Sequence, residues 1–186
     1  MDEFIEEYNL KGKPTGNKVL KSYAHKNGIP HSTIHLWLYT LDGELLIQKR
    51  SKNKKINPNI WDIISVAGHI GYSESAKDAV IREAFEEIGI KIKKNSIRKI
   101  NTHFFKKEYN GLIDAEFHNA YICEIDKKKI NLKFTNLEVD GLKFLKINEV
   151  KGIINEKPEG FLIIKDSITY YNEIIFEIES KINQNF

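Results

Sequence analysis

The sequence is poor in the residues that staple or interrupt a chain: it has one cysteine, Cys123, and four prolines, Pro14, Pro30, Pro58 and Pro158. A lone thiol excludes an intramolecular disulfide and a cysteine-built metal cluster, and it points to a reducing compartment. The scattered prolines and the lack of any Gly/Ser/Pro-rich tract leave no linker. A single domain over 1–186 is therefore expected, with 1–30 as an N-terminal extension and a terminal helix within 158–186 packed on it. No apolar run approaches the roughly 18 residues of a membrane helix, and Met1 to Leu10 is acidic without an apolar stretch. The expected location is the cytoplasm.

Net charge is scarce too. Lys and Arg number 29 against 26 Asp and Glu, a total of +3, which excludes a broad surface for a nucleic-acid polymer or a membrane. The total conceals a segregation. Leu45 to Trp61 carries Lys49, Arg50, Lys52, Lys54 and Lys55 with no acid, whereas Gly68 to Ile90 has Glu74, Asp78, Glu83, Glu86 and Glu87 against only Lys77 and Arg82. A basic stretch beside an acidic one is what a site for a metal-bound phosphate requires.

Hydrophobic residues make up 41% of the chain, enough for a core, and their periodicity alternates between strand and helix. Thr33–Thr40 alternates and turns through Asp42-Gly43 into Glu44–Lys49. Ile60–Ala67 reads as a buried strand ending at Gly68, and Ile97–Phe105, Ala115–Ile125 and Val139–Ile147 read as further strands, with a turn at Glu108–Gly111. Between them Ser75 and Asp78 form a capping pair and Gly89 stands at a C′ position, which predicts a helix over Ala76–Ile88. From Asp166 onward, Ile168, Tyr171, Ile175, Ile178 and Ile182 make an amphipathic stripe that would cover a sheet or, alternatively, form a dimer seam. Monomer and homodimer both remain open. The pattern is that of an α/β sandwich, a mixed β-sheet between helices.

The predicted helix over 76–88 carries the chemistry. With Ala76 at zero and about 100° per residue, Ala79 falls near 300°, Val80 near 40°, Glu83 near 340° and Glu87 near 20°. Acids placed on the apolar arc, four residues apart, repel each other and need a cation. Glu86 flanks the same arc near 280°, and Arg82, four residues before it, is placed to pair with it. Convergent carboxylates on one helix make a hard-oxygen site for Mg²⁺, with Mn²⁺ as a substitute. On the neighbouring strand Asp114, Glu116 and His118 share one face, while Phe117, Tyr121 and Cys123 take the other. Glu116 is a candidate general base or additional metal ligand, because it approaches from outside the helix.

The residues Gly68, Glu74, Arg82, Glu83, Ala84, Glu86, Glu87, Gly89 and Ile90 have the spacing of the Nudix hydrolase motif, which this segment resembles position by position, Ala84 being its weakest member. The resemblance implies a Nudix α/β/α sandwich and hydrolysis of a small-molecule diphosphate, a nucleoside diphosphate derivative or another organic diphosphate. It implies Glu83, Glu86 and Glu87 as metal ligands with the Gly68 carbonyl, and Arg82 as the group that orients them. A narrower resemblance, over about Lys21 to Glu116, is to the isopentenyl diphosphate isomerase branch. There, positions like His25, His31, His69, Asp114 and Glu116 would hold a metal, and positions like Lys21, Arg50 and Lys54 the diphosphate. Ala67, however, occupies the place of the cysteine that isomerisation needs, and the helix motif that isomerases usually degrade is complete. Hydrolase chemistry on an isomerase-like architecture is expected; an isomerase and a catalytically silent Nudix binding module are the alternatives. Trp61 is read as packing rather than stacking on a base, His35 and His103 as structural, and Lys49, Lys52 and Lys55 as solvated.

Overall fold

The computed structural model describes residues 2–54, 56–109, 111–164 and 167–184. An antiparallel pair, Phe4–Tyr8 (β1) and Pro14–Leu20 (β2), leads into a short helix, Lys21–Asn27 (α1), closed by Gly28 in the left-handed region. His31–Tyr39 (β3) and Glu44–Arg50 (β4) follow, joined through Gly43 at φ 74°. The central segment holds Trp61–Asp62 (β5), Val66–His69 (β6) and Ala76–Ile88 (α2). Arg98–Tyr109 (β7) and Leu112–Glu124 (β8) form a long hairpin. Val139–Lys146 (β9), Ile147–Glu156 (α3), Phe161–Leu162 (β10) and Ile168–Asn183 (α4) complete the described elements.

The main sheet runs β10-β5-β4-β3-β8-β7, with β6 paired to β3 and β9 to β4. It is mixed: β3 lies parallel to β8 and antiparallel to β4 and β6. Strand alternation divides its side chains between two cores. Ile34, Leu36, Leu38, Val66, Tyr121 and Cys123 pack on Ala79, Val80, Ala84 and Ile88 of α2. Trp37, Tyr39, Leu45, Ile47 and Ile122 pack on Ile147, Val150 and Ile154 of α3 and on Tyr171, Ile174, Ile175 and Ile178 of α4. The result is the expected α/β/α sandwich, and the C-terminal stripe is spent on covering the sheet.

Several boundaries differ from the sequence expectation. The expected strand over Ile60–Ala67 is two short strands, because β5 pairs with β4 and β10 while β6 pairs with β3. The chain crosses between those partners at a turn in which Asp62 Oδ1 accepts the Ile64 N–H at 3.0 Å. β7 and β8 extend further toward their turn than alternation indicates, since cross-strand pairing continues to Tyr109↔Leu112. Helix α3 begins at Ile147, where a strand end was expected; Glu149 caps it by accepting the Lys146 N–H at 2.7 Å. The β1–β2 hairpin and α1 occupy the expected N-terminal extension, yet Ile5 is buried, and Tyr8 and Lys21 bond to Pro30 and Glu3 through the backbone. Asp166 and Lys55 lie outside the described residues.

Candidate active site

Helix α2 is delimited as its caps predict: Ser75 accepts the Asp78 N–H, and Gly89 adopts φ 70° beyond Ile88. Within it Arg82 is the hub. Its Nε and Nη2 grip both oxygens of Glu74 at 2.9 Å, while Nη1 donates to Glu83 at 2.8 Å and to Glu86 at 3.0 Å, and Nη2 also donates to the His69 carbonyl at 2.9 Å. A rigid guanidinium fork satisfies this geometry, whereas a lysine point charge would not. Glu74 is itself anchored by the Gly71 N–H at 2.8 Å, so the loop before the helix and the helix are locked together.

The three helix carboxylates occupy different environments. Glu86 is exposed. Glu83 lies against Gly68, where a β-carbon would sit 2.1 Å from its Cδ. Burial raises the Glu83 carboxyl above the ordinary range, with Arg82 opposing. Glu87 is 4% exposed, and its Oε2 accepts from the Ala67 N–H at 3.2 Å and the Gln48 amide at 3.3 Å. Burial pushes its pKa up to about 8, with Lys54 opposing and Glu83 adding to the rise. A buried acid next to a second acid is under-compensated, and a cation relieves exactly this kind of set. Asn136 adds support that the sequence did not reveal, its amide donating to the carbonyls of Glu86 and Glu87.

A second cluster lies on the sheet face that carries Ala67, away from α2. Ligand-capable atoms of His25, His31, His69 and Glu116 lie within 4.8 Å of one another. The approach is long-range: α1 brings His25, the first residue of β3 is His31, the last of β6 is His69, and β8 brings Glu116 directly opposite His31. His31 Nδ1 donates to the Ile29 carbonyl at 2.8 Å, which leaves a buried Nε2 without a hydrogen-bond partner among the described residues. His25 Nδ1 meets Asp114 at 2.7 Å, and its Nε2 faces His69 Nε2 at 3.0 Å. Imidazoles oriented from behind by a carboxylate and a carbonyl, with their other nitrogens converging, fit a divalent cation. Burial favours the neutral form of His69, whose pKa lies well below the usual histidine value. Glu116 is fully engaged: Oε2 accepts from His118 at 3.0 Å, and Oε1 lies 3.5 Å from His31 and 3.6 Å from His69. Burial would raise its pKa, but the bond from His118 and the nearby imidazoles of His31 and His69 hold it well below the ordinary range.

The basic candidates are each engaged within the chain. Lys54 pairs with Glu138 and stands 3.9 Å from Glu87. Arg50 donates to the carbonyls of Ile56 and Asn57 and is 3.9 Å from Asp62, and Lys21 pairs with Glu3 at 3.2 Å. Lys54 thus reaches the helix carboxylates, whereas Arg50 braces the loop that follows β4. Trp61 packs at the edge of the α4-side core under Lys143. His35 is buried against Tyr170, and His103 pairs with Glu173. Sequence reasoning missed Gln48, whose only signal was an amide inside an apolar strand, and it assigned no partner to Glu74.

A model of the NUDIX domain matches residues 29–165. The chain is 34% identical over 179 residues to an uncharacterized Nudix hydrolase of Clostridium acetobutylicum, covering 91% of this chain and 84% of that one. It is 29% identical over 166 residues to an isopentenyl-diphosphate Delta-isomerase of Salmonella arizonae, covering 86% of each. In fold it is similar to a crystal structure of a Deinococcus radiodurans protein, with a TM-score of 0.68 at 18% identity over 90% of this chain and 98% of that one.

Proposed function

The chain belongs to the Nudix hydrolase family, whose members act on pyrophosphate bonds, and from this we propose that it is a Mg²⁺-dependent hydrolase of a nucleoside diphosphate derivative or another organic diphosphate. The observation that carries the reading is the Arg82 fork, which draws Glu74, Glu83 and Glu86 together beside buried Glu87.

In this reading Glu83, Glu86 and Glu87 hold Mg²⁺, or Mn²⁺ in its place, with the Gly68 carbonyl beside them. The bound cation would neutralise charge on the diphosphate and make water a better nucleophile. Arg82 fixes the rotamers of two of these ligands. Gln48 and the Ala67 N–H hold the third, so little reorganisation is left for substrate binding. Lys54, already near Glu87, exchanges its Glu138 partner for a phosphate oxygen; Lys21 and Arg50 supply further positive charge when their present partners are displaced. Between the two roles open to Glu116, its surroundings support the ligand, because both of its oxygens are engaged by histidines. His25, His31, His69 and Glu116 then form a second cation site on the sheet face away from α2, with mixed nitrogen and oxygen donors suited to Mn²⁺ or Zn²⁺.

The isomerase-like histidine cluster is the observation that favours a second reading, conversion of isopentenyl to dimethylallyl diphosphate. Ala67 shares the face of His69 two residues on, and no thiol stands there. Cys123 packs on the opposite face, in the core beneath α2, and does not replace it. The deciding experiment is turnover of a diphosphate panel that includes isopentenyl diphosphate, with Mg²⁺ and with Mn²⁺. Release of phosphate, pyrophosphate or a monophosphate supports the hydrolase, isomerisation overturns it, and silence with both metals supports a binding module.

A further inference from the structure

The two oxygens of Glu116 have different partners. Oε1 lies 3.5 Å from His31 Nε2 and 3.6 Å from His69 Nε2, whereas Oε2 accepts from His118 Nε2 at 3.0 Å. Glu116 and His118 stand two positions apart on β8, so strand alternation puts both on one face of the sheet. One oxygen therefore serves the histidine cluster and the other serves His118.

His118 is itself held in place. Its buried ring stacks on Phe105 at 5.4 Å, with 26° between the planes, and packs against His35 at 4.2 Å and 34°. An imidazole packed between two rings has little rotamer freedom, so the direction of its Nε2 is set before any ligand arrives. Phe105 is also the cross-strand partner of Glu116 on β7, and its phenyl ring has no polar atom to compete for Oε2.

The imidazoles of the cluster are backed in the opposite sense. His25 Nδ1 meets Asp114 at 2.7 Å and His31 Nδ1 meets the Ile29 carbonyl at 2.8 Å. Those partners are acceptors, which fix an imidazole by taking its N–H. A carboxylate needs a donor behind it, and His118 is the donor that the fold supplies to Glu116.

We propose that His118 is a positioning residue: it ties back Oε2, so that Glu116 offers a cation one oxygen in place of two. The inference rests on the reading of His25, His31, His69 and Glu116 as a cation site. Three imidazole nitrogens and a single oxygen fill four positions, and an ion that expands to a fifth keeps room for water or a diphosphate oxygen. Glu116 bound through both oxygens would take that room.

The test uses His118→Phe, which keeps a ring between Phe105 and His35 without a donor, and His118→Gln, which keeps a donor without the ring. Co²⁺ is the probe, and the cluster's share of its absorption is the part that His31→Ala removes. In His118→Phe, Co²⁺ affinity should fall about tenfold, the cost of an outer partner of a ligand, and the visible bands should weaken as the second oxygen raises the coordination number. His118→Gln should return both to within about twofold of the wild type. Losses confined to His118→Gln would mark a role in packing alone; these, equal losses in both variants, or no loss in either would overturn the inference. Wild-type protein without any Co²⁺ absorption that His31→Ala removes would overturn it together with the cation site. Diphosphate turnover with Mg²⁺ keeps the hydrolase reading separate. The contrast between the two variants, without turnover of any diphosphate, sinks the hydrolase and leaves His118 assigned. Turnover without that contrast sinks the assignment and leaves the hydrolase.

Discussion

The carboxyl group of Glu83 fills the space where any residue other than glycine would carry its β-carbon at position 68. A Cβ there would lie 2.1 Å from Glu83 Cδ and 2.3 Å from Oε1. Gly68 has no positive φ, so its value lies in this close approach and not in backbone freedom.

Gly68→Ala should therefore displace the Glu83 carboxylate from the Arg82 fork. The expected result is a loss of about 10- to 100-fold in kcat on any accepted diphosphate, with a stability cost of about 1–3 kcal/mol from overpacking. Steady-state kinetics and thermal melting check it; wild-type activity in this variant would show that Glu83 need not hold its position.

Glu87→Gln should abolish most turnover yet stabilise the metal-free protein, by an amount that grows with pH. The folded Glu87 titrates near 8, chiefly because of burial, against an ordinary value of 4.5. Between those values the folded state keeps a proton that the unfolded chain has lost, so the wild type loses stability as pH rises through this window. The melting-temperature advantage of Glu87→Gln should be small below about pH 4.5 and grow toward pH 8. An advantage that shrinks with rising pH would contradict the assignment.

Mg²⁺ should raise the melting temperature more at pH 8 than at pH 6, because binding at Glu87 displaces the proton that burial retains. At about 100 times Kd the stabilisation should be near 2.7 kcal/mol. Titration followed by differential scanning calorimetry gives the answer, and an equal shift at both pH values would refute the coupling.

Two cation sites should separate by mutation. His31→Ala removes a buried imidazole from the histidine cluster and should reduce binding of Co²⁺ or Zn²⁺ there by at least about tenfold, the effect of losing even an outer-shell partner. Glu87→Gln should leave that binding intact. Co²⁺ absorption spectra of both variants distinguish one shared site from two.

Tyr170→Phe tests how α4 is held to the sheet. The Tyr170 hydroxyl accepts from Trp37 Nε1 at 3.2 Å and meets His35 Nδ1 at 2.9 Å. Removing it leaves two buried polar groups without this partner, a cost of about 1–3 kcal/mol. At about 2–4 °C per kcal/mol for a chain of this length, melting should fall by about 2–12 °C, with metal binding unchanged.

Helix α2 was legible residue by residue because its signals are local. Ser75, Asp78 and Gly89 delimit it, and acids on its apolar arc marked Glu83 and Glu87 as carboxylates turned inward, as their burial bears out. The strands around Asp42-Gly43 were legible for the same reason, through alternation and a turn dipeptide. The split of the 60–67 strand was not, since pairing with two different neighbours leaves no periodic trace. Nor were α1 and the β1–β2 hairpin, too short to display a period and held by partners far along the chain. His25 shows the limit most clearly: as a single histidine it has no diagnostic neighbour, and it acquires meaning only when folding places it against Asp114, 89 residues away. Short-range sterics and hydrogen bonding thus determined the motif helix and the clustering of its carboxylates from sequence alone, while long-range packing decided which histidines converge and which cations touch carboxylates.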